Sequence, residues 1–186
     1  MEKRINKVGL VIGRRGCGKT TYTRKLIDGH PKKVLIVDTF DHPSYRDIPR
    51  IFPKQLKGWK KGIYRIFPDD ETTIEDIIAS INLNLTNALV FFEDALKYIS
   101  GRLQPEEKQF IIDSKQKNLD MFFLFHGFGT VPPDLYRFCD YITVFKTNDN
   151  PVTRKNNIPM FEEVYAVFLD VKKDESKYAN RTIQIN

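Results

Sequence analysis

The sequence predicts an α/β domain built on a mostly parallel sheet with helices on both faces. Its apolar runs are continuous rather than alternating, as in VGLVI (8–12), ALVFF (88–92) and MFFLF (121–125), which marks strands buried on both sides. Stretches of helical spacing separate those runs, as crossovers between parallel strands require. The 186 residues suffice for one domain with a full core and not for two ordinary ones. One domain over 1–186 is expected, with its core at about 7–146 and a C-terminal helix and tail over 147–186.

Each element has its own signal. Val8–Ile12 is a compact apolar run, followed by a glycine-rich turn and by TTYTRKLIDG, a helix with Gly29 as its stop. Val34–Val37 is a second strand, ending in Asp38. Positions 42–62 read as loop, with three prolines and several lysines, and Ile63–Phe67 as a short edge strand. Apolar residues at 74, 77, 78, 81 and 85 make one helix face, with Thr72 or Thr73 as cap. Ala88–Phe92 is a core strand and Ala95–Ile99 a short helix. Pro105 opens another helix running to Lys117. Met121–Phe125 and Tyr141–Phe145 are further core strands. Phe161–Lys173 is an amphipathic helix, and Thr182–Ile185 a last short strand.

Composition narrows the class. A hydrophobic fraction of 41% with 29% charged residues excludes disorder. No apolar run approaches the ~18 residues of a membrane span, and MEKRINKVGL does not read as a signal peptide. Cys17 and Cys139 form no disulfide framework, which suits a reducing cytoplasm. A net charge of +6 fits a polyanionic partner without requiring one.

The turn after the first strand is GRRGCGKT, Gly13 to Thr20. It matches G-x-x-x-x-G-K-[ST] at every fixed position and lies between a strand and a helix. Gly13, Gly16 and Gly18 let the backbone wrap a phosphate, with amides pointing inward and a helix N-terminus behind them. Lys19 reaches the β- and γ-phosphates of ATP, and the Thr20 hydroxyl binds Mg²⁺. Arg14, Arg15 and Thr21 complete the nucleotide-binding stretch. Cys17 reads as a small residue in a tight loop, although a helix N-terminus lowers a thiol's pKa and opens a route to oxidative inhibition.

Adjacent carboxylates at the end of a buried strand are costly, yet Glu93 and Asp94 follow ALVFF directly. A phosphate loop supplies only one protein ligand for Mg²⁺, and an acid at another strand tip completes the arrangement. Glu93 is assigned to the metal and Asp94 to the attacking water as general base. The reverse assignment stays open. The strand MFFLF ends in His126, placed where a polar residue senses the γ-phosphate, against the plainer reading of a loop histidine. His30 and His42 are given no role.

The order GRRGCGKT, VLIVDTFDHPSY, ALVFFEDA, FFLFHGFGTVPPDL resembles the HerA/FtsK superfamily of DNA-pumping ATPases, above all its small viral genome-packaging members and the Zot-like proteins of filamentous phages. The resemblance spans about 7–146. It implies a RecA-like (ASCE) P-loop core with five central strands ordered 5-1-4-3-2, acting as a ring-shaped homo-oligomer, often a hexamer. Nucleotide would lie between subunits, with an arginine reaching in from a neighbour. The family's position for that arginine falls on DSKQKNLD, which holds Lys115 and Lys117 but no arginine. Lysine lacks the bidentate fork. Arg102 is the rival, with Arg46, Arg50 and Arg137 weaker. His126 replaces the more usual glutamine or asparagine. Zot-like proteins often carry a membrane span and a further domain after the ATPase. This chain ends too soon for either, which favours a packaging subunit in the host cytoplasm or on the virion, docked on a capsid or membrane-vertex protein.

PKQLKGWKKGIYR (53–65) gathers Lys54, Lys57, Lys60, Lys61 and Arg65 around Trp59 and Tyr64. Such lysines neutralise DNA phosphates and the aromatics stack on bases. The bland alternative is a solvated, aggregation-resistant edge. Two other classes share the phosphate loop. A nucleoside- or nucleotide-type kinase needs an arginine-rich lid that is missing here. A slow nucleotide-binding assembly factor would differ by turnover indifferent to DNA. A guanine-nucleotide switch lacks its N-K-x-D motif.

Overall fold

A computed structural model describes residues 6–28, 33–99 and 101–185. Its strands are β1 (Val8–Ile12), β2 (Lys33–Val37), β3 (Gly62–Ile66), β4 (Ala88–Phe92), β5 (Leu119–Phe125), β6 (Tyr141–Phe145) and β7 (Asn180–Gln184). They form one sheet in the order β3-β2-β4-β5-β1-β6-β7. All pairs are parallel except β6 with β7. The inner five, read from β6 to β2, stand in the 5-1-4-3-2 order, with β3 and β7 added at the edges.

The two-sided burial read from the apolar runs holds: every residue of β1, β2 and β4 is buried, and in the 121–125 run only Phe122 is half-buried. Alternate side chains feed two cores. Leu10, Val90 and Phe123 pack with α2 (Ile74–Asn84), α3 (Pro105–Lys117), α4 (Pro133–Phe138) and α5 (Phe161–Lys173) on one face. Val11, Phe91 and Leu124 pack on the other with Ile27 of α1 (Lys19–Asp28) and with Tyr45. Thr73 caps α2, its hydroxyl accepting from Asp76 N–H at 3.1 Å.

Differences from the sequence reading are local. β5 starts two residues early because Leu119 and Asp120 pair with Ala88 and Leu89. The helix expected at Ala95–Ile99 is a single 3-10 turn, Ala95–Lys97, and the 42–62 loop contains two more, Pro43–Tyr45 and Pro53–Gly58. Helix α4, which follows the Val-Pro-Pro turn, was not expected. Gly29, the proposed helix stop, and His30 lie outside the described residues.

Register positions the site. Val37 pairs with Phe92 and Phe92 with Phe123, so the C-terminal ends of β2, β4 and β5 are nearly level. The residues that follow, Asp38, Glu93, Asp94 and His126, therefore share one edge of the sheet with the turn after β1.

Candidate nucleotide site

The phosphate loop is pinned at its root between two strand tips: Gly13 N–H donates to Phe125 O at 3.0 Å and Arg14 N–H to Lys146 O at 2.9 Å. A Cβ on Gly13 would fall 2.4 Å from Phe145 Cβ, so only glycine fits. Gly18 has φ +96°, left-handed backbone that turns the chain into α1. Lys19 folds back over the loop, its ammonium donating to Gly13 O at 2.5 Å and Arg14 O at 3.1 Å. Burial lowers its pKa, and the nearby Cys17, Glu93 and Asp94 pull the other way. Cys17 is buried, and that burial raises its thiol pKa despite Lys19 beside it. The low-pKa, oxidation-prone reading of Cys17 is therefore overturned: the helix N-terminus does not offset desolvation.

A cleft of about 530 Å³ opens above the loop, and Lys19, Thr20, Glu93, Asp94 and His126 all line it. Glu93 N–H donates to Val37 O at 2.9 Å, so the acid stands at the joint of β4 and β2. The Tyr45 hydroxyl donates to its Oε1. Desolvation pushes the Glu93 carboxyl up to about 7, against the pull of Tyr45 and with help from Asp38 and Asp94. Glu93 keeps some surface open to the cleft, so an entering cation or water offsets part of that shift. Asp94 adopts φ 45°, ψ 47°, a left-handed conformation uncommon for a non-glycine residue. Its Oδ1 lies 2.8 Å from His126 Nε2. Burial, then Lys19, lowers the His126 pKa. The neutral ring must carry its proton on Nε2 to bond the carboxylate, which leaves Nδ1 as a buried acceptor without a partner among the described residues.

Six residues that line the cleft escaped the sequence reading as site residues: Asp38, Phe40, His42, Tyr45, Lys97 and Tyr178. Asp38 is 2% exposed; Oδ1 accepts from Thr39 N–H at 2.8 Å, while Oδ2 has no hydrogen-bond partner among the described residues. Its carboxyl is raised by burial, against the N–H groups of Thr39, Phe40 and His42. The signal was present: Asp38 ends the neighbouring strand as Glu93 ends β4. His42, given no role, lines the cleft and accepts from Ser44 N–H at 3.1 Å through Nδ1. Tyr178 comes from the C-terminal tail, and nothing in its surrounding sequence marked it.

The basic segment divides. Lys54, Lys57, Lys60 and Lys61 are exposed. Trp59 is a core residue, its ring edge-on to Tyr64 at 5.4 Å and its indole N–H donating to Lys61 O at 2.7 Å. Base stacking by Trp59 is thus corrected, because the ring is buried in the core. Arg65 is also buried, ion-paired to Asp41 and donating to Ile48 O at 3.0 Å. Arg102 and Lys115 are both exposed, at opposite ends of the helix that begins at Pro105. Lys117 is held by Asn82, Arg50 by Asp69 at 2.5 Å, and Arg46 by Asp41 at 3.4 Å. No helix among the described residues is long and apolar enough to cross a membrane.

Solved structures share this architecture. Genome packaging NTPase B204 from Sulfolobus turreted icosahedral virus 2, in complex with AMPPCP, matches with a TM-score of 0.76 at 15% identity, covering 97% of this chain and 93% of that one. The DNA-packaging ATPase B204 from Sulfolobus Turreted Icosahedral Virus gives 0.75 at 14% identity over 99% and 95%. The N-terminal domain of zonular occludens toxin from Neisseria meningitidis gives 0.53 at 18% identity over 80% and 88%. No protein-family model and no curated protein sequence matches the chain. The chain has the P-loop NTPase fold of these viral packaging proteins.

Proposed function

We propose that the chain is an ATPase that couples ATP hydrolysis to DNA movement, as one subunit of a ring that packages a viral or phage genome. The observation that carries this reading is a single cleft holding a phosphate loop, two adjacent acids and a histidine at the tip of the intervening strand. The nucleotide-bound packaging NTPase of the same fold supports it.

In this reading the loop amides and the N-terminus of α1 hold the phosphates, and Lys19 leaves Gly13 O and Arg14 O for the β- and γ-phosphate oxygens. The Thr20 hydroxyl and the Glu93 carboxylate are hard oxygen donors that fit Mg²⁺, which needs only one or two protein oxygens beside phosphates and water. When bound, that ion neutralises phosphate charge. Asp94 takes the proton of the attacking water, and His126 holds the Asp94 carboxylate in place through Nε2. Arg102 and Lys115 are the proposed residues reaching a neighbour's γ-phosphate. The exposed Lys57, Lys60 and Lys61 contact the DNA backbone. The ring docks on a capsid or membrane-vertex protein.

The test is the ATP hydrolysis rate against protein concentration, with and without single- and double-stranded DNA. Turnover should climb with concentration and again with DNA, and the DNA increment should fall steeply with salt. Turnover indifferent to both would sink the motor and return attention to small phosphate acceptors.

A further inference from the structure

The cleft has two ends, and only one has been given work. At the acid end stand Asp38, Glu93 and Asp94, beyond β2 and β4. In the sheet, β1 lies two strands from β4 on one side and two strands from β7 on the other, roughly 10 Å each way at the usual strand spacing. The wall at the far end is the tail between α5 and β7, and it places Tyr178 in the cleft.

Single exposed aromatics need no explanation; the position of this ring does. Tyr178 is 53% exposed, yet it rests on the phosphate loop, since a Cβ on Gly18 would lie 3.1 Å from its Cδ1. The tail that carries it is braced. Tyr178 N–H donates to Ser176 Oγ and Ala179 N–H to Ser176 O, both at 3.2 Å. Ala179 is buried, and Arg181 ties the strand back to Asp170 at 3.0 Å and Asp174 at 3.3 Å. One face of the ring already hosts a guest, the Lys177 ammonium, 4.7 Å from its centroid.

A triphosphate in this loop has a fixed direction. Its terminal phosphate must face Lys19 and the acids, so its nucleoside leaves toward Gly18, Thr21 and the tail. We infer that Tyr178 is the platform on which the base of the bound nucleotide stacks, the ring face now covered by Lys177 being handed to the base. This rests on the nucleotide-binding reading and adds a substrate preference. Stacking on a tyrosine ring accepts any base and favours the larger purines, so ATP and GTP should both bind more tightly than CTP or UTP.

The experiment is equilibrium binding of ATPγS and of inorganic tripolyphosphate, each with magnesium, to the wild type and to Tyr178→Ala and Tyr178→Phe. Tyr178→Ala should weaken ATPγS about tenfold and leave tripolyphosphate unchanged, while Tyr178→Phe should bind like the wild type. Equal loss of both ligands in Tyr178→Ala would overturn the inference, because the ring would then merely shape the loop. Unchanged ATPγS affinity would overturn it too. A wild type that binds neither ligand would overturn the nucleotide reading itself, and the platform with it.

Discussion

The phosphate loop and the acidic rim face each other across one cleft, yet they are held in opposite ways. In the loop each local demand is met: glycine occupies the left-handed position at 18, both root amides are bonded to strand tips, and the Lys19 ammonium has two carbonyl partners. On the rim the demands are left open. Asp94 is left-handed without being glycine, an oxygen of Asp38 and a nitrogen of His126 lack partners among the described residues, and Glu93 holds its proton far above the usual carboxylate range. The loop backbone is set to receive a ligand with only the Lys19 side chain moving, whereas the rim carries unfavourable terms that an arriving ligand can relieve. Substitutions in the loop should therefore cost function, and those on the rim should separate function from stability.

The largest effect belongs to the loop. Lys19→Ala should lower ATP hydrolysis at least about a hundredfold, the scale of removing one positioned donor from a charge-stabilising site. Stability should change little, because the desolvation cost of the buried Lys19 ammonium offsets the two carbonyl bonds that it makes. Steady-state turnover and thermal melting on the same variant check both halves. Unchanged turnover would remove the loop from the chemistry.

That contrast also explains what could be read from the sequence. The loop was fully legible, because a strand, a glycine-rich turn and a helix are contiguous and each residue's task is local. The β4 tip was legible for the same reason, Glu93 and Asp94 being adjacent in the chain. Asp38 was seen as a strand end but not as a site residue, since its neighbour Glu93 is 55 positions away and only the β2–β4 register joins them. Tyr178 was invisible because its tail returns to the loop only after α5 has packed along β6 and β7. Trp59 misled in the other direction: the lysines around it suggested a surface, and packing against Tyr64 made it core.

The second effect tests the rim through pH. The Glu93 carboxyl titrates near 7 in the folded chain and near its ordinary 4.5 in the unfolded one. Between those values the folded state holds a proton that the unfolded state has released, so rising pH favours unfolding. The stabilising contribution is fully present below about 4.5, falls through the window to about 7 and is flat above it. Glu93→Gln mimics the protonated acid at every pH. Without nucleotide or metal it should be more stable than the wild type at pH 8, by on the order of 2 kcal/mol once the open side of the cleft is allowed for. At pH 4 the two should coincide. Denaturant midpoints at both pH values decide it, and an equal difference at each would mean that packing, not charge, sets the effect.

The smallest effect isolates the backbone at Asp94. Both Asp94→Gly and Asp94→Ala remove the carboxylate that meets His126, so both should lose hydrolysis alike. They differ in what a left-handed residue costs. Alanine's Cβ crowds the following carbonyl there, by roughly 1–2 kcal/mol, and glycine has no Cβ to crowd it. Glycine gives back part of that through a freer unfolded chain. The glycine variant should therefore be the more stable by about 1 kcal/mol, the reverse of their order in a helix interior. Urea denaturation of the pair reads this difference directly. Equal midpoints would mean that the rim holds no backbone strain at Asp94, and that its left-handed turn is set by the fold rather than stored at the site.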